Sequence, residues 1–325
     1  MSLLEIRNLI VEFPTSRGPF RAVDGLDLTI EPGKTLGIVG ESGSGKSITM
    51  LAAMGLVPWP GQVRADQLSF NNMNLLGISP AKRRSLLGKD VAMIFQEPTT
   101  SLNPCFTIGY QIMETLAIHQ GGNKRQRYGK TLELLEKVGI SAPAKRMDSY
   151  PHQLSGGMNQ RVMIAMAIAC NPRLLIADEP TTALDVTIQA QILDLLRNLQ
   201  KETGMSLILI AHDMGVVAEM AENIMVMYAG QVVEKQPANQ LFKNPQHPYT
   251  AALLQALPER SKEGEALLSI PGTVPGIYDR LKGCLFHPRC QFCQPTCRQD
   301  LPALEANAHG RSVRCHYPLG SSIHD

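Results

Sequence analysis

Short apolar runs, each about the length of a buried strand, recur along this chain between Gly, Pro and polar residues. The clearest of them occupy residues 35–39, 91–95, 174–177 and 206–211. Nearly continuous apolar runs of this length are typical of parallel strands that are covered on both faces. They predict an α/β fold with buried parallel strands at its centre.

Other segments have a different character. The first 30 residues suggest two strands, one ending at about Phe13 and one at 23–30. Between Gln96 and Ser155 the chain turns helical, for example at 109–119 and 127–138. This pattern predicts a helical insertion within the α/β core. A short helix is predicted to open at 245–250 and to end near 257–258. From there to the end Pro, Gly and Cys dominate, which favours a small appended module with little core of its own.

A glycine-rich loop follows the run at 35–39 and precedes a predicted helix at 47–54. It fits the phosphate-binding pattern G-x-x-x-x-G-K-[ST] with the residues Gly40, Glu41, Ser42, Gly43, Ser44, Gly45, Lys46 and Ser47. In such a loop the backbone N–H groups surround phosphates, the lysine contacts the β- and γ-phosphates, and the hydroxyl binds Mg²⁺. The loop predicts ATP binding.

Polar residues also stand at the ends of two other apolar runs. Asp178 ends one run, where a carboxylate can hold the Mg²⁺ shell, and Glu179 follows as the natural general base for water. His212 follows the run at 206–211 and is placed to contact the γ-phosphate, although a lone His is more often structural. These residues predict hydrolysis of the bound nucleotide.

A second anion site is predicted at Ser155, Gly156 and Gly157, before a helix at 158–169. Ser155 can cap that helix, and the free N–H groups at a helix start attract anions. Two anion sites so far apart in the sequence suggest a dimer, in which each copy closes over the ATP of its partner.

Taken in order, these motifs resemble the nucleotide-binding subunit of an ATP-binding-cassette (ABC) transporter. The resemblance implies an ABC-type nucleotide-binding domain at 1–240, with a RecA-like α/β core, a β-subdomain and a helical subdomain at about 97–158. It implies a C-terminal extension at 241–325. It also implies that Glu179, His212 and Gln96 act in catalysis, and that Ser47, Gln96 and Asp178 hold Mg²⁺.

The same resemblance implies further contacts with ATP. Phe13 is the aromatic residue expected to stack on adenine, with Phe20 a weaker candidate. Asp185 closes the segment Thr182-Ala183-Leu184-Asp185, which matches the family's D-loop. Met158 stands where many members have Gln, a departure that leaves the phosphate contacts intact.

Finer features are similar to importers of dipeptides and oligopeptides. They are the segment after Gln96, the segment His247-Pro248-Tyr249-Thr250, and the Cys-rich tail. The resemblance implies a second, different ATPase subunit, two transmembrane permease subunits and, indirectly, a periplasmic peptide-binding protein. It implies a peripheral position on the cytoplasmic face of the inner membrane. Oligopeptide, nickel, antimicrobial peptide and haem importers remain alternatives, as does a soluble ABC protein of another class.

Composition and charge bear on nucleic-acid binding, secretion and membrane crossing. The chain has 325 residues with 31 basic and 29 acidic side chains, so its net charge of +2 gives no indication of nucleic-acid binding. Charged residues occur too close to its N-terminus for a secretory signal peptide. The longest apolar run, at 162–170, is far shorter than the roughly 20 residues of a membrane-spanning helix. We therefore expect no membrane crossing by this chain.

Five of the seven cysteines lie between Cys284 and Cys315, where metal ligation is more plausible than disulfides in a cytosolic protein. The resemblance implies a [4Fe–4S] cluster on Cys284, Cys290, Cys297 and Cys315. Cys293 is a possible substitute, because Cys290-x2-Cys293 has the spacing of zinc sites. A zinc ion, no metal, and a redox sensor that gates transport stay open. Cys105 and Cys170 are expected to be buried small hydrophobes.

Overall fold

The computed structural model describes residues 2–182, 184–257, 270–276, 281–306 and 311–320. The strands among them are β1 Leu4–Thr15, β2 Gly18–Ile30, β3 Thr35–Val39, β4 Gln62–Arg64, β5 Gln67–Phe70, β6 Met73–Asn74, β7 Val91–Ile94, β8 Leu174–Asp178, β9 Ser206–Ala211, β10 Asn223–Tyr228, β11 Gln231–Pro237, β12 Glu305–Ala306 and β13 Ser312–Val313.

The helices are α1 Lys46–Met54, α2 Pro80–Leu86, α3 Pro98–Ser101, α4 Ile108–His119, α5 Lys124–Lys137, α6 Pro143–Arg146, α7 Gly156–Ile168, α8 Val186–Thr203, α9 Met214–Met220, α10 Ala238–Lys243, α11 Pro248–Gln255 and α12 Pro295–Gln299. Short 3₁₀ turns occupy Pro151–Gln153 and His287–Arg289. None of these helices has both the length and the apolar character needed to span a membrane.

One of two compact units comprises residues 31–34 and 77–209. Its strands β7 and β8 are parallel, with Val91 opposite Leu174 and Ile94 opposite Ala177. Every residue of both strands is buried, as the apolar runs predict. Phe95, the last residue of the predicted run 91–95, lies beyond the end of β7 and is exposed, so the prediction of burial was wrong there. Helices α4, α5 and α7 pack on one another and contribute a core of their own around Ile112, Leu135 and Ile164.

The other unit comprises residues 2–30, 35–76 and 210 onward. Its N-terminal strands form an antiparallel sheet, in which β1 pairs with β2, β4 and β5. A second set of strands places β10 between β3, which is parallel to it, and β11, which is antiparallel. Strand β13 near the C-terminus pairs with β11, so the tail extends the sheet that carries the phosphate loop.

The described part of the tail packs against the strands and helix that precede it. Leu285 and Phe286 are buried, and the Phe286 ring packs edge-on against Tyr228 and beside Tyr249. Aromatic contacts of this kind add to the stabilisation that comes from buried area. Phe286 thus holds this part of the tail against β10 and α11.

The two cysteines of the cassette differ in their exposure to solvent. Cys170 is buried, as expected, whereas Cys105 is exposed, and the expectation of burial was wrong there. Cys105 lies in the loop between α3 and α4, where its N–H donates to Asn103 Oδ1 at 3.0 Å. That loop turns over the surface, so a small apolar side chain in it has no core to enter.

Candidate functional site

The phosphate loop leaves the buried strand β3 and is closely enclosed by backbone. A Cβ atom on Gly40 would lie 2.2 Å from the carbonyl oxygen of Met227, and one on Gly45 would lie 2.6 Å from that of Ala22. Both glycines also have positive φ values, 151° and 97°. Only glycine fits this path, because any side chain would collide with backbone that cannot move away.

Lys46 begins α1 directly after this loop, and its side chain is buried. Its Nζ donates hydrogen bonds to the carbonyl oxygens of Gly40 at 2.8 Å and Glu41 at 3.1 Å. The ammonium group is therefore held inside the loop, at the N-terminus of a nine-residue helix. Helix N-termini attract anions, and the positive charge of Lys46 strengthens that attraction.

Glu41 has two partners that were not predicted from the sequence. Its N–H donates to the hydroxyl of Tyr249 at 2.9 Å. Its carboxylate forms an ion pair with Arg289, with Nη1 to Oε2 at 2.7 Å. These contacts span 208 and 248 residues, and no local pattern marks such distant pairs.

In the unit with β7 and β8, the predicted glutamine and glutamate meet. Gln96 Nε2 donates to Glu179 Oε2 at 2.8 Å, and Thr182 Oγ1 donates to the same oxygen at 3.1 Å. The parallel register of β7 and β8 brings the residues after Ile94 alongside the end of β8. The two donors orient the Glu179 carboxylate. Thr182 was not predicted as its partner, although a hydroxyl three residues after an acid is a signal for such a turn.

Asp178 is the last residue of β8 and is buried, as expected of a carboxylate that serves a metal ion. Glu179 follows with φ at 46°, a left-handed conformation that non-glycine residues rarely adopt. Backbone outliers of this kind are concentrated at functional sites.

The predicted second anion site lies in the same unit. Ser155 caps α7 by accepting from the N–H of Met158 at 3.3 Å, as predicted, and Ser155 and Gly156 are exposed. Gly157 allows α8 to approach, because a Cβ there would lie 2.9 Å from Ile188. The start of α7 is therefore accessible to solvent at Ser155 and Gly156.

Asp185 caps α8, accepting from the N–H of Ile188 at 2.9 Å. This structural role is separate from the contact with ATP that the family resemblance implies. Ala183, in the predicted D-loop, lies outside the described residues.

His212 and the two aromatic candidates lie in the unit with the phosphate loop. His212 is exposed just after β9. Phe13 and Phe20 face each other in the β1–β2 register. The Phe13 ring packs on Gly61, whereas Phe20 lines a pocket together with Gly43 of the phosphate loop. Of the two rings, Phe20 is the one seen to share a pocket with that loop.

The sequence matches known proteins along nearly its whole length. It is 58% identical over 319 residues to the dipeptide transport ATP-binding protein DppD of Escherichia coli K12, covering 98% of each chain. The DppD of Haemophilus influenzae is 57% identical, over 98% of this chain and 96% of its own. Residues 23–182 match the "ABC transporter" family model. The chain belongs to the ABC transporter family of ATPases.

A second family model and a solved structure also match this ABC ATPase. Residues 233–297 match a second family model, described as "oligopeptide/dipeptide transporter, C-terminal region". Among solved structures, the dimeric ATP-binding cassette MJ0796 in a post-hydrolysis state with ADP and Pi aligns with a TM-score of 0.64. That alignment has 26% identity and covers 72% of this chain and 98% of the other. It confirms the ABC cassette fold.

The C-terminal part of this ABC ATPase brings four cysteines together. One open pocket is lined by Cys284, Cys290, Cys297 and Cys315, together with His247, Phe286 and other residues. Cys293 is not part of the lining, and its Sγ faces the carbonyl oxygen of Gln294 at 3.7 Å. The four lining cysteines are those that the family resemblance implies.

The pocket is unfavourable for thiolates alone. Burial raises the pKa of Cys284 and of Cys290, and it raises the pKa of Cys315 to about 12, with the neighbouring cysteines adding to the effect. Anionic thiolates there would need a bound cation. Within the described ranges, no group of three or more His, Cys, Asp or Glu side chains is arranged to hold a metal ion.

A buried polar network ties the strand β11 to α11 in this ABC ATPase. The Glu234 carboxylate accepts from the N–H groups of Gln246 at 2.7 Å and His247 at 2.9 Å. Burial raises the pKa of Glu234 in spite of these donors. Burial also lowers the pKa of His247 to about 3, so its ring is neutral and its Nδ1 accepts from the N–H of Tyr249. The network fixes Tyr249, the residue that contacts the phosphate loop.

Proposed function

We propose that this ABC ATPase supplies the energy for uptake of dipeptides or short peptides. The observation that carries the proposal is the similarity to DppD proteins, which is nearly end to end and includes the peptide-transporter C-terminal region. The geometry supports it, since the phosphate loop is held around Lys46 and the Glu179 carboxylate is oriented by Gln96. A soluble ABC protein of another class has no such support.

In this proposal each group of residues has its own role in ATP binding and hydrolysis. Lys46 and the loop N–H groups bind the phosphates, and Ser47, Gln96 and Asp178 serve Mg²⁺. Glu179 accepts the proton of the attacking water. His212 contacts the γ-phosphate. Ser155, Gly156, Gly157 and Asp185 contact the nucleotide of a partner cassette, and Phe13 or Phe20 stacks on adenine.

The proposed assembly follows from the same similarity. The cassette extends to about residue 240 with a helical subdomain at about 97–158, and the extension occupies 241–325. A second ATPase subunit pairs with it, and two transmembrane permease subunits and a peptide-binding protein complete the importer. We place this chain on the cytoplasmic face of the inner membrane, where closing and reopening of the cassette pair drive the permease.

Transport in proteoliposomes tests the substrate class. The vesicles contain the chain with its second ATPase and its permeases, ATP inside, and binding protein with labelled dipeptide outside. We expect ATP-dependent accumulation of label, and none when Lys46→Ala replaces the wild-type chain. Unlabelled oligopeptide, Ni²⁺ and haem are added as competitors. ATP-dependent uptake of Ni²⁺ or haem without any uptake of peptide would contradict the proposal.

We also propose that the cysteine pocket holds a [4Fe–4S] cluster on Cys284, Cys290, Cys297 and Cys315. The donor set fits, because four thiols line one pocket and clusters of this type are held by four cysteines. A zinc ion draws four ligands to about 2.3 Å from one point. An ion of this kind on the same thiols is the alternative that metal analysis distinguishes. Bound there, the cluster would cross-link a tail that has little core.

Metal analysis of matched cysteine variants tests this proposal. Protein purified without oxygen should be brown and contain about four iron and four sulfide per chain. Cys315→Ser should lose the colour and most of the iron, because it removes a ligand. Cys293→Ser is the matched control and should keep both. About one zinc per chain, lost in Cys293→Ser, would show instead that Cys293 is a ligand of a zinc site.

A further inference from the structure

The strongest unassigned contact joins the cysteine-rich tail to the phosphate loop through Arg289. This residue ends the 3₁₀ turn His287–Arg289 and directly precedes Cys290. Its Nη1 and Nη2 donate to the two carboxylate oxygens of Glu41, at 2.7 and 2.9 Å. This two-point geometry is the strongest form of ion pair that arginine makes.

The remaining donors of Arg289 are also satisfied. Nε donates to the carbonyl oxygen of Pro271 at 2.9 Å and Nη2 to that of Ile270 at 3.2 Å, while Nη1 also reaches the Tyr228 hydroxyl at 3.4 Å. All five N–H groups of the guanidinium therefore have acceptors. The side chain is 4% exposed, and its charge lies over the Tyr228 and Phe286 rings. The contact of Arg289 with Glu41 is therefore part of a buried, fully hydrogen-bonded site and differs from an ordinary surface ion pair.

Glu41 transmits this contact to the phosphate-binding lysine. Its carbonyl oxygen accepts from Lys46 Nζ at 3.1 Å, and its N–H is held by the Tyr249 hydroxyl. The side chain, backbone N–H and carbonyl of one loop residue are thus all fixed. A carboxylate in a phosphate-binding loop repels a triphosphate unless a cation compensates it, and Arg289 supplies that cation.

We propose that Arg289 is a positioning residue for ATP. By pairing with Glu41 it neutralises an unfavourable charge at the phosphate site and fixes the first turn of the loop. Because Arg289 directly precedes Cys290, the cysteine-rich tail supplies the cation that supports nucleotide affinity. The proposal does not depend on which metal group the cysteines hold.

A double-mutant cycle of Arg289 and Glu41 tests the charge compensation between them. Arg289→Ala leaves the Glu41 carboxylate uncompensated and should weaken nucleotide binding. Glu41→Gln removes the carboxylate, so Arg289→Ala should have little further effect in that background. Arg289→Lys keeps a charge but loses the paired donors, so it should lie between wild type and Arg289→Ala.

Titration of the full chain with Mg²⁺ and ATPγS, a slowly hydrolysed analogue, measures these affinities. We expect Arg289→Ala to raise Kd about tenfold, which is about 1.4 kcal/mol. In the Glu41→Gln background the same change should raise Kd less than about threefold, because the two sites are coupled. A Kd for Arg289→Ala within twofold of wild type, or additive effects of the two changes, would overturn the proposal.

Arg314 is a matched control for general loosening of the tail. It too directly precedes a pocket cysteine, Cys315, and its guanidinium donates to the carbonyl oxygens of Val232 and Pro302 rather than to the phosphate loop. Arg314→Ala should leave Kd within about twofold of wild type, even where it lowers the unfolding temperature as much as Arg289→Ala does. Equal losses of affinity in the two variants would show that Arg289 acts only through tail stability.

Discussion

We expect Glu179→Gln to abolish ATP hydrolysis while ATP binding is preserved. The carboxylate is assigned as the base that takes a proton from the attacking water, and an amide cannot take it. General-base catalysis contributes roughly 10²–10⁴-fold to a rate. Glutamine has nearly the same shape, so Gln96 Nε2 and Thr182 Oγ1 can still donate to its side-chain oxygen. Single-turnover hydrolysis and nucleotide retention, measured on the same preparation, separate the two effects.

The matched control is Glu133→Gln, the same substitution at an exposed position of α5. It should hydrolyse ATP at the wild-type rate. We also expect Glu179→Gln with ATP to stay associated with a partner cassette, because reopening requires hydrolysis. An unchanged rate of hydrolysis in Glu179→Gln would refute the role of Glu179 as base.

The buried strands could be predicted because their apolar character is local. All five residues of β3 and all six of β9 are buried, and their runs are apolar almost throughout. The phosphate loop could be predicted for a related reason. Gly40 and Gly45 are required by backbone contacts, and those requirements appear as a fixed spacing in the sequence.

Strand β11 was not predicted, because polar residues occupy its buried positions. Glu234 and Gln236 are buried there, and neither fits the pattern of an apolar strand face. Glu234 is accommodated by N–H groups from Gln246 and His247, beyond α10. Burial of a carboxylate is costly unless such donors are supplied. The sequence does not show where they will come from.

The candidate residues of the catalytic and phosphate sites were found from motifs, but their partners were not. The sequence placed Gln96 and Glu179 in separate motifs without indicating that they bond. No sequence pattern indicated that Glu41 forms an ion pair with Arg289, because Glu41 occupies a variable position of the loop pattern and Arg289 lies in the tail. A sequence motif reflects the residues that a ligand needs, whereas a long-range ion pair depends on how the whole chain folds.

Lys46→Ala should remove most of the affinity for ATP. Its buried ammonium group is held within the loop by the carbonyl oxygens of Gly40 and Glu41, where it can contact phosphate oxygens. Loss of a charge-assisted contact with phosphate, together with the looser loop, should raise Kd about 100-fold, or about 2.7 kcal/mol. Lys82→Ala, at an exposed position of α2, should bind ATP as wild type does. Equilibrium titration with a fluorescent ATP analogue measures both, and thermal unfolding checks that each variant is folded. Wild-type affinity in a folded Lys46→Ala variant would refute the phosphate-loop assignment.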